Sequence, residues 1–472
     1  MARNALVKRL VVIAVLAAAA LGLGVRQYLR REGSAADPRL NVLLITLDTT
    51  RADHLRCYGY TRATSPNLDA LAADGVRFEL ALSPSAVTPM SHASIFTGLN
   101  PDRHGLRVFY GKTGYFLSES EPTLASLLRS QGWETGAFVS AYSASQRFGL
   151  HWGFNTFQSE VAESVFKQDM TLRPPKDGYW STERVATAQR RSDETTDHVL
   201  GWLKSARRPF FLWTHYWDPH DAALVPPEQI TSWFGAHASD RPDIQRNLYD
   251  AEVFFVDMQI GRLLSYLKER GELEKTIIAV VADHGQGLGD HSWWLHRLLY
   301  QEQIRLPLIM RVPGGPRGMV IPSLVRSTDI APTVLDLIGL PPLESPDGAS
   351  LCGLMKGQPE PPRIAYAEAL NTLDVHTPEG FPPLQQDLLF CVVEEPWKLI
   401  YHKEHPGNSE LYNLATDPRE SSNVVDQNPE VKARLLSLLE KSGIMEIEMV
   451  EPMQPMDQET YQKLRSLGYI GK

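Results

Sequence analysis

Two short runs constrain this chain more than any other feature: 41-NVLLITLD-48 and 276-TIIAVVAD-283. Each is apolar almost without interruption, the pattern of a strand covered on both faces. Such strands occur in sheets clad by helices on either side. Runs at 135–141, 209–217 and 306–312 also have strand character, and 65–75, 88–98, 121–132, 193–206 and 245–270 have helix character. Their repeated alternation predicts an α/β fold with a large, mostly parallel central sheet flanked by helices. In 88-TPMSHASIFTG-98, Thr88 is the expected N-cap, Pro89 the first helical residue and Gly98 the stop.

After residue 340 the pattern changes. Prolines cluster over 341–362, and strand-like pieces at 387–393 and 397–402 precede a polar helix near 428–442. The expected organisation is a catalytic α/β domain over 41–340 and a smaller C-terminal α+β subdomain over 341–472. Ahead of both, Arg3, Lys8 and Arg9 lead into 10-LVVIAVLAAAALGLGV-25, followed by Arg26, Arg30 and Arg31. A basic flank and an apolar run, with no clear small-x-small cleavage site, predict a signal-anchor or transmembrane segment over 1–31. Residues 32–40 then form a linker, and the membrane is a partner through the N-terminal segment. Secretion after signal cleavage is the alternative. Either places the catalytic part outside the cytoplasm, in the periplasm or extracellular space. A net charge of −9 over 472 residues gives no basic footprint, so nucleic acid is not an expected partner. Three dispersed cysteines, Cys57, Cys352 and Cys391, suggest neither a disulfide framework nor a zinc ribbon.

The chemistry starts where the two strands end. Asp48 closes the first and Asp283 the second, with His284 next in sequence. In open parallel sheets, sites form beyond the carboxyl ends of the strands, so these three residues are expected on one edge. Each aspartate alone reads equally well as the cap of a turn. Two carboxylates and an imidazole converging together are costly without a cation, and a divalent metal is the natural occupant. Thr88 alone reads as an N-cap. Beside a metal, its hydroxyl becomes a candidate nucleophile. His92 lies one helical turn on and on the same face, and a helix N-terminus offers N–H groups to an oxyanion.

These residues sit in ordered motifs: 47-LDTTRADHLRCYGY-60, 64-TSPNLDALAADGVRF-78, 88-TPMSHASIFTGLNPDRHG-105, 214-THYWDPH-220, 282-ADHGQGLGDH-291, 299-LYQEQIRLPLI-309, 409-SELYNLATDPRESSNV-424 and 464-LRSLGYIG-471. Together they resemble the sulfatase-like branch of the alkaline phosphatase superfamily, from about residue 40 to the end. The departures are informative. Sulfatases of this family carry a Cys-x-Pro-Ser-Arg element whose Cys or Ser becomes formylglycine. Here Thr88 stands at the Cys position, Met90 at Pro, Ser91 at Ser and His92 at Arg. The family's Asp-Asn-Gly is Asp283-His284-Gly285, its Asp-Asp pair is Asp48-Thr49, and a customary Lys is His296. Its Gly-Lys-Trp-His element has no counterpart near 136–142.

Threonine cannot become formylglycine. Thr-x-x-x-His with Asp-His-Gly is similar to the phosphodiesterases and phospho-headgroup transferases of the superfamily, which use an unmodified, metal-bound Thr. The resemblance implies a metal-dependent hydrolase or transferase acting on phosphoester bonds through a covalent Thr88 intermediate. It implies one divalent metal (Zn²⁺, Mn²⁺ or Ca²⁺) held by Asp48, Thr88, Asp283 and His284, with His92, His220, His291 and His296 as further catalytic residues. Arg51 and Asp218 are weaker candidates for substrate and metal contact, and His104 reads as a turn residue. Substrates would be small-molecule, lipid or glycan phosphoesters or sulfate esters. Two alternatives stand beside this one: a sulfatase using Thr88 in place of formylglycine, and a catalytically inactive binding protein on the same scaffold.

Overall fold

The computed structural model describes residues 39–109, 113–159, 189–220, 224–236, 242–374 and 386–449. The apolar runs form β1 (Asn41–Leu47), β5 (Phe210–Tyr216) and β6 (Thr276–Ala282), and every residue in all three is buried. Covering a Val, Leu, Ile or Phe side chain contributes about 1.5–3 kcal/mol, so these strands anchor the core. They are joined by β2 (Val76–Leu82), β3 (Glu134–Val139), β4 (Thr156–Gln158), β7 (Arg305–Arg311) and β8 (Met319–Arg326). Among the described residues the sheet order is β4-β3-β5-β1-β6-β7-β2-β8. All neighbours are parallel except β7, which runs antiparallel to both β6 and β2. The α/β class and the mostly parallel sheet follow the sequence reading. Strands β2 and β8 escape it because they lie near the sheet edge and alternate buried with half-exposed positions rather than running apolar.

Register positions the site. Leu47 pairs with Tyr216 on one side and Ala282 on the other, so Asp48 and Asp283 leave the sheet side by side. Helix α1 (Thr88–Thr97) sits against this edge with every residue buried. Its polar side chains are absorbed locally: Ser91 donates to Ser85 O at 2.7 Å and Thr97 to Ala93 O at 2.8 Å. Gly98 closes the helix at φ +71°, a conformation that favours glycine. The N-terminal expectation is corrected by one residue. The helix starts at Thr88, Val87 is the N-cap, and no side chain caps it. Pro89 therefore takes the second helical position, and the Thr88 hydroxyl is free for other partners.

A second, antiparallel sheet follows, ordered β12-β11-β10-β9, from β9 (Ala365–Leu370), β10 (Leu388–Glu394), β11 (Trp397–His402) and β12 (Glu410–Asn413). Helix Pro429–Ser442 buries Leu435 and Leu439. The expected membrane span is corrected. Among the described residues no helix is long and apolar enough to cross a membrane. The run 10–25 on which that expectation rested, and the motif at 464–471, lie outside the described residues.

Candidate active site at the carboxyl edge of the sheet

Asp48 and Asp283 reach the edge fully buried, and so do Thr88 and His284. Asp283 Oδ1 accepts from Thr49 N at 3.2 Å and from His284 N at 2.7 Å. Asp48 Oδ2 accepts from the Thr88 hydroxyl at 3.3 Å and lies 3.1 Å from His215 Nε2. The remaining oxygens, Asp48 Oδ1 and Asp283 Oδ2, are buried with no hydrogen-bond partner among the described residues. Burial pushes both carboxyls well above the usual range. The neighbouring Asp48 adds to the rise at Asp283, while Asp283 and the Thr88 hydroxyl partly offset it at Asp48. Orphaned carboxylate oxygens in a buried site are what a cation satisfies.

The ring nitrogens sharpen this fit, with tautomers assigned from their neighbours. His284 Nδ1 donates to Gly285 O at 2.9 Å, so Nε2 carries a lone pair. That lone pair faces Thr88 Oγ1 at 3.3 Å, whose one proton points to Asp48. Asp48, Asp283 and His284 bring one donor atom each within 4.8 Å of one another. Thr88 Oγ1 adds a fourth electron-rich atom beside them. Gly285 is required here, because a Cβ would lie 2.0 Å from Glu302 O.

His92 is drawn to the same place in a different role. Nδ1 donates to Thr88 O at 2.8 Å and Nε2 accepts from the Thr46 hydroxyl at 2.9 Å, which locks the first turn of α1 onto β1. His92, His215 and Asp283 also bring donor atoms within 4.8 Å, but both His92 nitrogens are engaged. His215 is the residue the sequence reading missed. It lies on β5 opposite Thr46, and burial holds its imidazole down to about 3. Its Nδ1 receives Ser140 N–H at 3.4 Å, so Nε2 carries the proton and donates to Asp48. The available signal was a lone histidine inside an otherwise apolar strand, next in the sheet to the one ending in Asp48.

His220 and His296 meet at the mouth of this cluster, with their Nε2 atoms 3.1 Å apart. His296 Nδ1 donates to Ala86 O at 2.7 Å, which makes its Nε2 the acceptor. Its ring lies 4.5 Å from that of His284, and His220 stacks on Trp217 at 3.7 Å. Burial keeps both imidazoles below their ordinary range. The structure thus brings together Asp48, Thr88, His92, His220, Asp283, His284 and His296.

Three candidates stand elsewhere. His291 is corrected: its backbone is left-handed at φ +48°, its Nδ1 lies 2.9 Å from Glu302 and its Nε2 3.1 Å from Glu420 O. Although burial opposes it, Glu302 pushes its imidazole up to about 9, and both ring nitrogens are engaged away from Thr88. The Arg51 guanidinium is spent on Asp53, Asp290 and the carbonyls of Gln286 and Gly287. Asp218 Oδ1 takes the backbone and hydroxyl of Ser192. His104, expected in a turn, bonds Ser94 and the Leu106 amide.

Comparison with known proteins shows the family and the fold. The sulfatase family model matches residues 40–340, and the C-terminal model of N-sulphoglucosamine sulphohydrolase matches 289–443. The chain is 23% identical to N-acetylglucosamine-6-O-sulfatase of Bacteroides thetaiotaomicron, over 86% of each protein. It is 25% identical to a multifunctional alkaline phosphatase superfamily protein of Trinickia caryophylli, over 82% of this chain and 91% of that one. The phosphonate monoester hydrolase of Agrobacterium radiobacter shares the fold with a TM-score of 0.65 at 23% identity, over 86% of this chain and 95% of that one. The chain belongs to the sulfatase family and is a hydrolase of the alkaline phosphatase-like superfamily.

Proposed function

We propose that the protein hydrolyses monoanionic phosphoesters, phosphodiesters or phosphonate monoesters, through a covalent intermediate on Thr88. The observation that carries this reading is the Thr88 hydroxyl, buried 3.3 Å from both Asp48 Oδ2 and His284 Nε2 where the formylglycine precursor of a sulfatase would stand. Asp48, Asp283 and His284, with Thr88 beside them, would hold one divalent ion. When bound, it supplies positive charge that lowers the hydroxyl's pKa and neutralises the ester.

The residues then divide the work. The Thr88 Oγ–phosphorus bond forms as the bond to the leaving oxygen breaks, and the hydroxyl proton passes to Asp48 Oδ2. An anionic ester beside the His220–His296 pair favours an added proton there, and that proton goes to the leaving oxygen. Water next cleaves the Oγ–phosphorus bond, its proton returns to the histidine pair, and Asp48 returns the first proton to Thr88. A transferase would use an alcohol in place of that water. His92 contributes by fixing the turn that carries Thr88.

Sulfate ester hydrolysis is the second reading, because the relatives are mostly sulfatases. The test compares wild type and Thr88→Ala, each supplied with Zn²⁺, Mn²⁺ or Ca²⁺, on matched nitrophenyl phosphodiester, phosphonate monoester and sulfate ester. The expected result is phosphorus-ester turnover that falls by at least about 10³-fold in Thr88→Ala while metal binding persists. Undiminished turnover in the variant overturns the covalent mechanism. Dominant sulfate turnover replaces the first reading with the second.

A further inference from the structure

The turn after β1 is held in an unfavourable shape by two residues, Tyr249 and Arg51, whose hydrogen bonds go to the loops rather than to the side chains of Thr88, Asp48 or Asp283. Thr49 is β-branched yet sits at φ +48°, where β-branched side chains are crowded. That conformation aims Thr49 N–H at Asp283 Oδ1. It thereby links the two acid-bearing loops and fixes which oxygen of Asp283 is left over. Something must hold the turn there.

Tyr249, buried on the helix Pro242–Glu269, does so with one oxygen. Its hydroxyl donates to Thr49 O at 2.8 Å and accepts from Arg51 N at 2.8 Å, clasping the turn from both ends. Arg51 carries the brace to the other loop. Its Nη1 donates to Gln286 O at 3.1 Å, Gly287 O at 3.2 Å and Asp290 at 2.6 Å, just beyond Asp283-His284. Asp53 holds the guanidinium in plane through Nε and Nη2. One tyrosine and one arginine thus tie both loops to the long helix.

We infer that Tyr249 and Arg51 are positioning residues that hold the strained Thr49 turn, and with it the spacing of Asp48 and Asp283, in the geometry that binds the divalent ion. The inference rests on the metal reading given above. Partners of this kind around metal ligands typically tune affinity by about 10–100-fold.

The experiment titrates full-length, metal-stripped protein with Zn²⁺ and with Mn²⁺ by calorimetry, alongside melting of the metal-free protein. Tyr249→Phe removes both hydrogen bonds and keeps the ring. Tyr60→Phe is the control, because its hydroxyl donates to Asp250 at 2.7 Å on the same helix without touching the turn. Tyr249→Phe is expected to weaken the metal Kd by at least about tenfold, with Tyr60→Phe at the wild-type value. Arg51→Lys, which keeps the charge and loses the fork, gives the same direction and serves if Tyr249→Phe fails to fold. A Tyr249→Phe Kd within twofold of wild type overturns the inference, as does equal weakening in Tyr60→Phe. Wild type that binds neither ion overturns the metal reading itself, which separates that failure from the failure of the brace.

Discussion

The carboxyl edge of β1 and β6 differs from the junction between the two sheets in how buried acids are satisfied. At the junction two buried acids, Asp329 and Asp374, face arginines. Asp329 lies 2.8 Å from Arg326 and 3.4 Å from Arg363, and Asp374 lies 2.7 Å from Arg297. At the carboxyl edge Asp48 and Asp283 face each other and neutral imidazoles, with one oxygen of each left over. Both regions bury charge, but only one supplies the counter-charge from the chain. For Asp329 and Asp374 the sequence provides an arginine. Where it withholds one, the missing charge marks a place for a ligand.

The same chemical change should therefore have opposite consequences in the two regions. Asp329→Asn leaves Arg326 and Arg363 without their buried partner and should cost about 3 kcal/mol, read by denaturant unfolding. Asp283→Asn keeps an acceptor for Thr49 N–H and His284 N–H and removes a repelling charge. Metal-free Asp283→Asn should melt no lower than metal-free wild type, yet lose metal binding. If both variants lose equal stability, the contrast between the regions is void.

A smaller effect comes from the ion itself. At a free metal concentration of 100 times Kd, stability should rise by about 2.7 kcal/mol. Chelator should remove that gain from wild type and change nothing in Asp283→Asn, as followed by calorimetric melting. Affinity should also rise with pH. Both carboxyls are pushed up in the metal-free protein, so at lower pH a binding ion must displace protons. Proton release counted in buffers of different ionisation enthalpy checks this, and a flat pH profile would count against a carboxylate site.

The smallest effect belongs to His291. Its imidazole is raised to about 9 beside Glu302, above its ordinary 6.5. The stabilisation is therefore full below pH 6.5 and lost as pH rises through 9. His291→Gln should cost about 1 kcal/mol at pH 6 and almost nothing at pH 10. A pH-independent loss would mean that the stacking of the His291 ring on Tyr300, 3.8 Å away, rather than charge, holds this loop.

Much of the site was legible because it hangs on strand ends. Asp48, Asp283 and His284 follow apolar runs whose burial leaves little freedom of register, and Thr88 opens a helix marked by Pro89 and Gly98. His296 and His220 were legible through motif positions. His215 was not, because an imidazole inside an apolar strand looks like core until the neighbouring strand shows Asp48 beside it. His291 was misread because its partners, Glu302 and Glu420, lie 11 and 129 residues away. The capping role given to Thr88 failed by one residue, which is enough to turn its hydroxyl from the backbone to Asp48.

By itself, the sequence determined the parallel core, the edge at which its acids emerge and the family. Those follow from local apolar patterning and from residues fixed in order along the chain. Only the tertiary structure decided which nitrogen of each site histidine donates and which accepts, which oxygens of Asp48 and Asp283 are left over and which acids the chain neutralises itself. These depend on contacts between residues tens to hundreds of positions apart, and on tautomers set by a single carbonyl or amide.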